Sequence, residues 1–370
     1  MTAPSLITPI AAAVAAALIG LATAAPHARA DELNVYNWSD NIADDTVSGF
    51  QKQTGIHTRY DVYDGDETLQ AKLLAGSSGY DIVVPSSGYA GKQIQAGVYQ
   101  KLDKSKIPNL ANLDPVLMKM MATVDPGNQY AVPWSWGTDG LGYNATKVQD
   151  VLGKDAPLDS WDLLFNPQYV SKLKHCGVSV LDSPEDAFAV GLAYLHKNQN
   201  STNPADYQAV YQLYRTIRPY ITQFNSSGYI NDLANNDICL ALAWSGDVAI
   251  AKARAAEAHR AYEISYVIPP GDGVLWFDLM AVPKDAPHAG AAMQWINYIL
   301  QPKTSAAITN QVFYPNANAA ARPLIKAEIL KNPAIYPGPE RLKTLTLGSP
   351  MPADIMRLES RLWAQLKSGR

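Results

Sequence analysis

Three short runs decide the fold: Leu33-Asn34-Val35-Tyr36-Asn37-Trp38, His57-Thr58-Arg59-Tyr60-Asp61-Val62-Tyr63 and Tyr80-Asp81-Ile82-Val83-Val84-Pro85. The first alternates apolar and polar side chains, and the third is a nearly unbroken apolar run, so all three read as strands. Between the first two, Asp44 and Asp45 precede a helical pattern through Val47 and Phe50 that stops near Gly55. Between the second and third, a helix spans Glu67 to Leu74 and stops at Gly76. Acid in a first turn and glycine just past a last turn are ordinary helix punctuation. The order β-α-β-α-β predicts an α/β fold built on a doubly wound, largely parallel sheet. In such sheets ligands sit beyond the carboxyl ends of the strands. Asn37-Trp38-Ser39-Asp40 and Ser86-Ser87-Gly88-Tyr89 both fall there, so both are candidates for one crevice.

Further along, a second lobe begins near Gly140-Leu141-Gly142-Tyr143-Asn144. Trp161 to Tyr220 is mostly helical in pattern, with a loop at Asn200-Ser201-Thr202-Asn203-Pro204. Ile238 to Ala243 reads as a strand ending at Trp244; Ile264 to Ile268 and Asp278 to Pro283 read as strands returning to the first lobe. The last hundred or so residues are helix-rich, with a loop at Tyr314-Pro315-Asn316-Ala317-Asn318.

Ile7 to Ala25 is almost wholly apolar and small, and Ala28-Arg29-Ala30 forms a small-x-small cleavage signal before Asp31. Residues 1–30 therefore read as a cleaved secretory signal peptide, although no basic residue precedes the apolar stretch. The chain of 370 residues carries 30 basic and 34 acidic residues, and losing Arg29 with the leader makes the balance 29 against 34. That excess of acid argues against a nucleic-acid surface. The 340 residues left after the leader exceed one simple core, so two lobes are expected. Cys176 and Cys239 are an even pair in an exported chain, which favours a disulfide over two buried thiols.

Three Trp–Asp pairs recur at predicted strand ends: Trp38-Ser39-Asp40, Trp244-Ser245-Gly246-Asp247 and Trp276-Phe277-Asp278. A carboxylate beside a flat ring suits a buried organic ammonium, since the acid supplies charge and the ring a cation-tolerant wall. Asp278 is the sharpest case, because it interrupts an apolar strand and a buried charge there needs a partner. Glu185 and Asp186 are adjacent, and chain neighbours rarely face one site as an acid–base couple. No phosphate loop, His-Glu-x-x-His or Gly-x-Ser-x-Gly is present, so the reading is of a binder and not an enzyme, with no cofactor and no metal.

With those residues in view, the chain resembles the periplasmic polyamine-binding proteins of ABC uptake systems, in particular the putrescine-binding type. The resemblance runs from about Asn34 to Lys367-Ser368-Gly369. Its carriers include Val35 to Asp40, Tyr80 to Ser86, Gly142-Tyr143-Asn144, Tyr229 to Asn235, Trp244-Ser245-Gly246-Asp247-Val248 and Val312-Phe313-Tyr314. It implies a two-lobed, type II periplasmic-binding-protein fold, each lobe a doubly wound mixed sheet, with the ligand in the interlobe cleft. The implied lobes are 31–139 with about 265–318, and 140–264 with about 319–370. Trp38, Trp244, Trp276 and Tyr314 are the implied ring walls; Ser39, Asp40 and Ser86 hold one end of the ligand; Asp247 and Asp278 bind ammonium groups. Asp186 falls where the family usually has Glu, which leaves a gap for water, and Cys176 and Cys239 match the family's disulfide positions. Asn41 stands where putrescine binders often carry Tyr, Trp276 where they often carry Phe, and Gly88 leaves the rim without a side chain. The implied ligand is putrescine first and spermidine next. The implied setting is the periplasm, as a monomer serving an ABC permease in the inner membrane. A receptor for a membrane sensor, or a binder of another small cation, is the alternative.

Overall fold

The computed structural model describes residue 1 and residues 32–369; the proposed signal peptide and its cleavage point lie outside the described residues. The three opening runs form strands β1 (Glu32–Trp38), β2 (His57–Tyr63) and β3 (Ile82–Val83). β1 is central and pairs in parallel with β2 along its whole length and with β3 on its other edge. Helices Thr46–Thr54 and Asp66–Leu74 supply the crossovers, the first stopped by Gly55 at φ 76°. That left-handed turn favours glycine because it has no Cβ to clash.

The strand that organises the molecule is β4 (Ala131–Asn144), fourteen residues long and buried throughout. The remaining strands are β5 (Val178–Val180), β6 (Gln223–Phe224), β7 (Leu240–Trp244), β8 (Ile264–Val267), β9 (Gly273–Ala281) and β10 (Leu345–Leu347). The first half of β4 runs antiparallel to β9, from Ala131 opposite Ala281 to Thr138 opposite Leu275. Its second half runs antiparallel to β7, from Asp139 opposite Trp244, and to β8. The sheet order is β2-β1-β3-β9-β4-β7-β5-β6, with β10 on β9 and β8 on β4. One strand thus belongs to both halves of the sheet.

Two cores flank this shared strand. The first includes Leu33, Val35, Phe50, Ile82, Trp134 and Trp295; the second includes Leu141, Phe188, Tyr214, Leu240 and Leu362. The closing helix Ala353–Lys367 buries Ile355, Leu358, Leu362, Trp363 and Leu366 on the second core. β10, just before it, lies parallel to β9 beside the first. Three segments therefore pass between the halves: β4 near residue 139, the β8–β9 connection and residues 348–352. Cys176 and Cys239 are disulfide-bonded, with Cα atoms 5.5 Å apart. The bond joins the amino-terminal ends of β5 and β7, far from the end where β7 reaches Trp244. Among the described residues no helix is long and apolar enough to cross a membrane.

Candidate functional site

Strand ends from both halves converge on one cavity of about 50 Å³. A single water needs roughly 10–15 Å³ on this scale, so the space has room for a slim chain. β1 delivers Trp38 and Ser39, β7 runs out at Trp244, and the helix that follows it carries Asp247. On β9, Trp276 and Asp278 are two residues apart and share a face, while Phe277 turns into the first core. Ser86 bridges to Asp278 across the cleft floor, and Ser87 Oγ accepts from the Phe277 backbone N–H at 3.2 Å. Tyr314 comes from the turn after helix Pro302–Val312.

Four rings line the space in succession. Trp38 meets Trp244 edge-on with centroids 5.7 Å apart, Trp244 meets Trp276 at 6.4 Å, and Trp276 meets Tyr314 at 5.5 Å. Each indole is fixed by its N–H. Trp38 donates to the Val84 carbonyl at 2.8 Å, Trp244 to Asp186 at 3.2 Å and Trp276 to Asp139 at 3.0 Å. Trp276 also lies flat on Gly137, where a Cβ would come within 2.4 Å of the ring.

The walls carry six acids, namely Asp64, Asp66, Glu185, Asp186, Asp247 and Asp278, and no Lys, Arg or His. Asp278 is 5% exposed and accepts from Ser135 Oγ at 2.9 Å and Asn41 Nδ2 at 3.2 Å. Asp247 is 6% exposed and accepts from the hydroxyls of Tyr229 at 2.8 Å and Tyr314 at 2.5 Å. No ion pair reaches Asp186, Asp247, Asp278 or Glu185 among the described residues. Burial without a counter-charge pushes the carboxyls up, Asp186 to about 6, Asp247 to about 7 and Asp278 to about 8. Neutral hydroxyl, amide and indole donors pull the other way and fall short.

Of the ten residues singled out from the sequence, nine line this cavity: Trp38, Ser39, Ser86, Asp186, Trp244, Asp247, Trp276, Asp278 and Tyr314. Asp40 does not. It follows β1 in a left-handed turn, φ 51°, and Arg254 Nη2 donates to its carboxylate at 2.8 Å. Arg254 also donates to Asn231 at 2.9 Å, so Asp40 and Arg254 tie the two halves outside the cavity. Two further expectations are corrected. Glu185 and Asp186 do face one site, because they open helix Pro184–Tyr194, whose capping residue Ser183 also lines the cavity. The rim at Gly88 is not vacant, since a Cβ there would fall 1.6 Å from Glu185 Oε1. Glu185 from the second half occupies that space, and Ser86 Oγ donates to it at 3.3 Å. Sequence reasoning also passed over Asp64, Asp66 and Ser226; the Ser183-Pro184 helix start was the signal that could have drawn Glu185 in.

Residues 45–337 match the family described as bacterial extracellular solute-binding protein. The chain is 48% identical over 363 residues to the putrescine-binding periplasmic protein SpuD of Pseudomonas aeruginosa (strain UCBPP-PA14), covering 98% of each. It is 49% identical over 359 residues to the putrescine-binding periplasmic protein PotF of Escherichia coli (strain K12), covering 96% of this chain and 97% of that one. Among solved structures it is similar to a putative spermidine/putrescine ABC transporter from Listeria monocytogenes. That match has a TM-score of 0.82 at 30% identity, covering 92% of this chain and 100% of that one.

Proposed function

The chain belongs to the bacterial extracellular solute-binding proteins, and from that premise we propose that it captures a polyamine in the periplasm and hands it to an ABC permease. Putrescine is the first ligand and spermidine the next. The observation that carries this reading is the interlobe cavity with six acids, four aromatic walls and no basic side chain. A diamine supplies the missing charges at its two ends and an apolar stem between them. Asp247 takes one ammonium beside Tyr314, and Asp278 with Ser39 and Ser86 faces the other; Trp38, Trp244 and Trp276 flank the methylenes. Asp186 and Glu185 act at the same end, with water filling what the shorter Asp186 leaves.

Excluding water strengthens each ammonium–carboxylate pair but also strips both partners of hydration. The gain is net only because donors already hold the acids in place: Ser135 and Asn41 for Asp278, Tyr229 and Tyr314 for Asp247. The lobes move about Thr138 to Gly140 of β4 and the β8–β9 connection, where pairing passes from one half to the other. Lobes of 31–139 with about 265–318 and 140–264 with about 319–370 fit the two cores except over 336–347, where Tyr336, Leu342 and Leu345 pack with the first core and β10 pairs with β9. Asp40 and Arg254 fasten the closed form across the mouth. The protein works as a monomer released from its signal peptide after export.

Isothermal titration of ligand-stripped protein with putrescine, cadaverine, spermidine and agmatine tests the reading. Tight binding of one or two is the expected result. No heat with any of them, from protein that melts cooperatively, overturns it.

A further inference from the structure

β4 passes from one half of the sheet to the other at Asp139. Thr138 still pairs with Leu275 of β9, whereas Asp139 opens the pairing with β7, opposite Trp244. Gly137 and Asp139 share a face of β4, and residues directly opposite on paired strands share a face too. Trp276 lies flat over Gly137, and its indole N–H donates to Asp139 Oδ1 at 3.0 Å. Trp244 stands on the other side of Asp139, and its own indole N–H donates to Asp186 Oδ2 at 3.2 Å. That bond holds Asp186 over Asp139, and the two carboxyls lie within hydrogen-bonding reach of each other.

Asp139 is fully buried, and its Oδ2 meets no donor. No ion pair reaches it among the described residues. The titratable groups that face it are Asp186 and Glu185 on helix Pro184–Tyr194, Tyr214 on helix Pro204–Ile217 and Tyr266 on β8. Two carboxyls so close in a dry, cation-free place share one proton, because both cannot ionise there. Asp186 borders the cavity, where a ligand ammonium favours its charged form, and Asp139 lies behind it. The proton therefore belongs to Asp139. Burial first, and then the charge of Asp186, pushes the Asp139 carboxyl well above its ordinary range.

We propose that Asp139 is a neutral positioning residue of the site, its protonated Oδ2 donating to Asp186 while its Oδ1 accepts from Trp276. This rests on the polyamine reading of the cavity. The chain Trp276–Asp139–Asp186–Trp244 then fixes two ring walls, one from each half, at the point where the halves join. It also keeps Asp186 charged and aimed at the ligand.

The test compares the wild type with Asp139→Asn and Asp139→Ala, each first checked by thermal melting. An amide keeps an acceptor for Trp276 and a donor for Asp186 without charge, so it copies a neutral acid, whereas alanine removes both. Infrared difference spectra of wild type against Asp139→Asn at pH 7 are expected to show the carbonyl band of a protonated carboxylic acid. Absence of that band overturns the proposal. In calorimetric titration with putrescine from pH 6 to 9, Asp139→Asn is expected to stay within about twofold of wild type. A larger loss marks Asp139 as an ionised counter-charge and overturns the proposal. Asp139→Ala is expected to weaken putrescine by about tenfold or more at pH 7. It should also move the rise of affinity to higher pH, because Asp186 loses the donor that holds its carboxyl down. A smaller loss, or a profile that does not move, overturns the positioning role. Should Asp139→Ala fail to melt cooperatively, the band and the Asp139→Asn titration decide: both as expected support the proposal, and failure of either overturns it. A wild type that binds no polyamine overturns the reading of the cavity itself, and the infrared band still decides the proton on Asp139.

Discussion

Asp278→Asn separates ligand binding from stability, because the same carboxylate should act on the two in opposite directions. Its folded pKa is pushed up to about 8 by burial, against an ordinary value of 3.8. In empty protein the charged form is disfavoured, so the stability cost grows as pH rises from the ordinary value to about 8 and is complete above it. Asn keeps the shape and abolishes that cost. The empty variant is therefore expected to melt at or above the wild-type temperature at pH 9. With an ammonium in place the sign reverses. A charge-assisted hydrogen bond to a buried group is worth about 1.5–3 kcal/mol, equivalent to about 12- to 150-fold in affinity. At pH 7 about 1.4 kcal/mol of that goes to ionising a group whose pKa is one unit higher, so the loss on mutation is smaller there than at pH 9. Titration calorimetry with putrescine at both pH values, paired with melting curves, reads all of this. Affinity within twofold of wild type at pH 9, or a fall in empty-protein melting temperature together with unchanged binding, would refute the assignment of Asp278 as an ammonium partner.

The remaining expectations concern pH, a ring and the disulfide. Asp247 and Asp278, raised to about 7 and about 8, are protonated in acid and must ionise to bind. Putrescine affinity should therefore fall as pH drops from 8 to 5, by about tenfold per unit for each carboxyl below its pKa, and binding at pH 7 should release protons; calorimetry in buffers of different ionisation enthalpy checks both, and a flat profile from pH 5 to 9 contradicts them. Trp276→Phe removes the indole N–H that Asp139 accepts at 3.0 Å, and Asp139 Oδ2 already lacks a partner. The loss should destabilise by about 1–3 kcal/mol in urea unfolding. Reducing Cys176–Cys239 reopens a loop spanning 63 positions. Stability should fall by roughly 4 kcal/mol on the chain-entropy account while putrescine affinity stays put, since the bond lies at the end of β5 and β7 away from the cavity.

What could be read in the sequence followed local pattern. β1, β2 and the two helices between them announce themselves by alternation and by glycine stops. β3 was legible as apolar but shrinks to Ile82–Val83, since pairing with β1 covers only two residues. β4 was not legible as one strand. Its middle and second half include Gly137, Asp139, Gly140 and Gly142, residues that disfavour strands on their own. The ring of Trp276 packs against Gly137 and that of Tyr266 against Gly140, contacts that no sequence window contains. The start of β9 at Gly273 was missed for the converse reason: Asp278 drew attention as an interruption, whereas it and Trp276 point to the cleft by simple alternation. Asp40 shows the limit of motif reasoning. It shares its Trp–Asp spacing with true wall residues, yet one left-handed backbone step turns it to Arg254.

The fit of Glu185 over Gly88 has an evolutionary corollary. Positions 88 and 185 lie on facing lobes and claim the same space. A side chain introduced at 88 while Glu185 remains meets the carboxylate tip of Glu185, which has to swing aside and give up its place beside Ser86. The two sites are thus epistatic, and a lineage or a designer retuning amine preference has to alter them in concert, shortening one as the other grows. Enlarging 88 alone would displace the Glu185 carboxylate and be mistaken for a direct ligand effect of the new side chain.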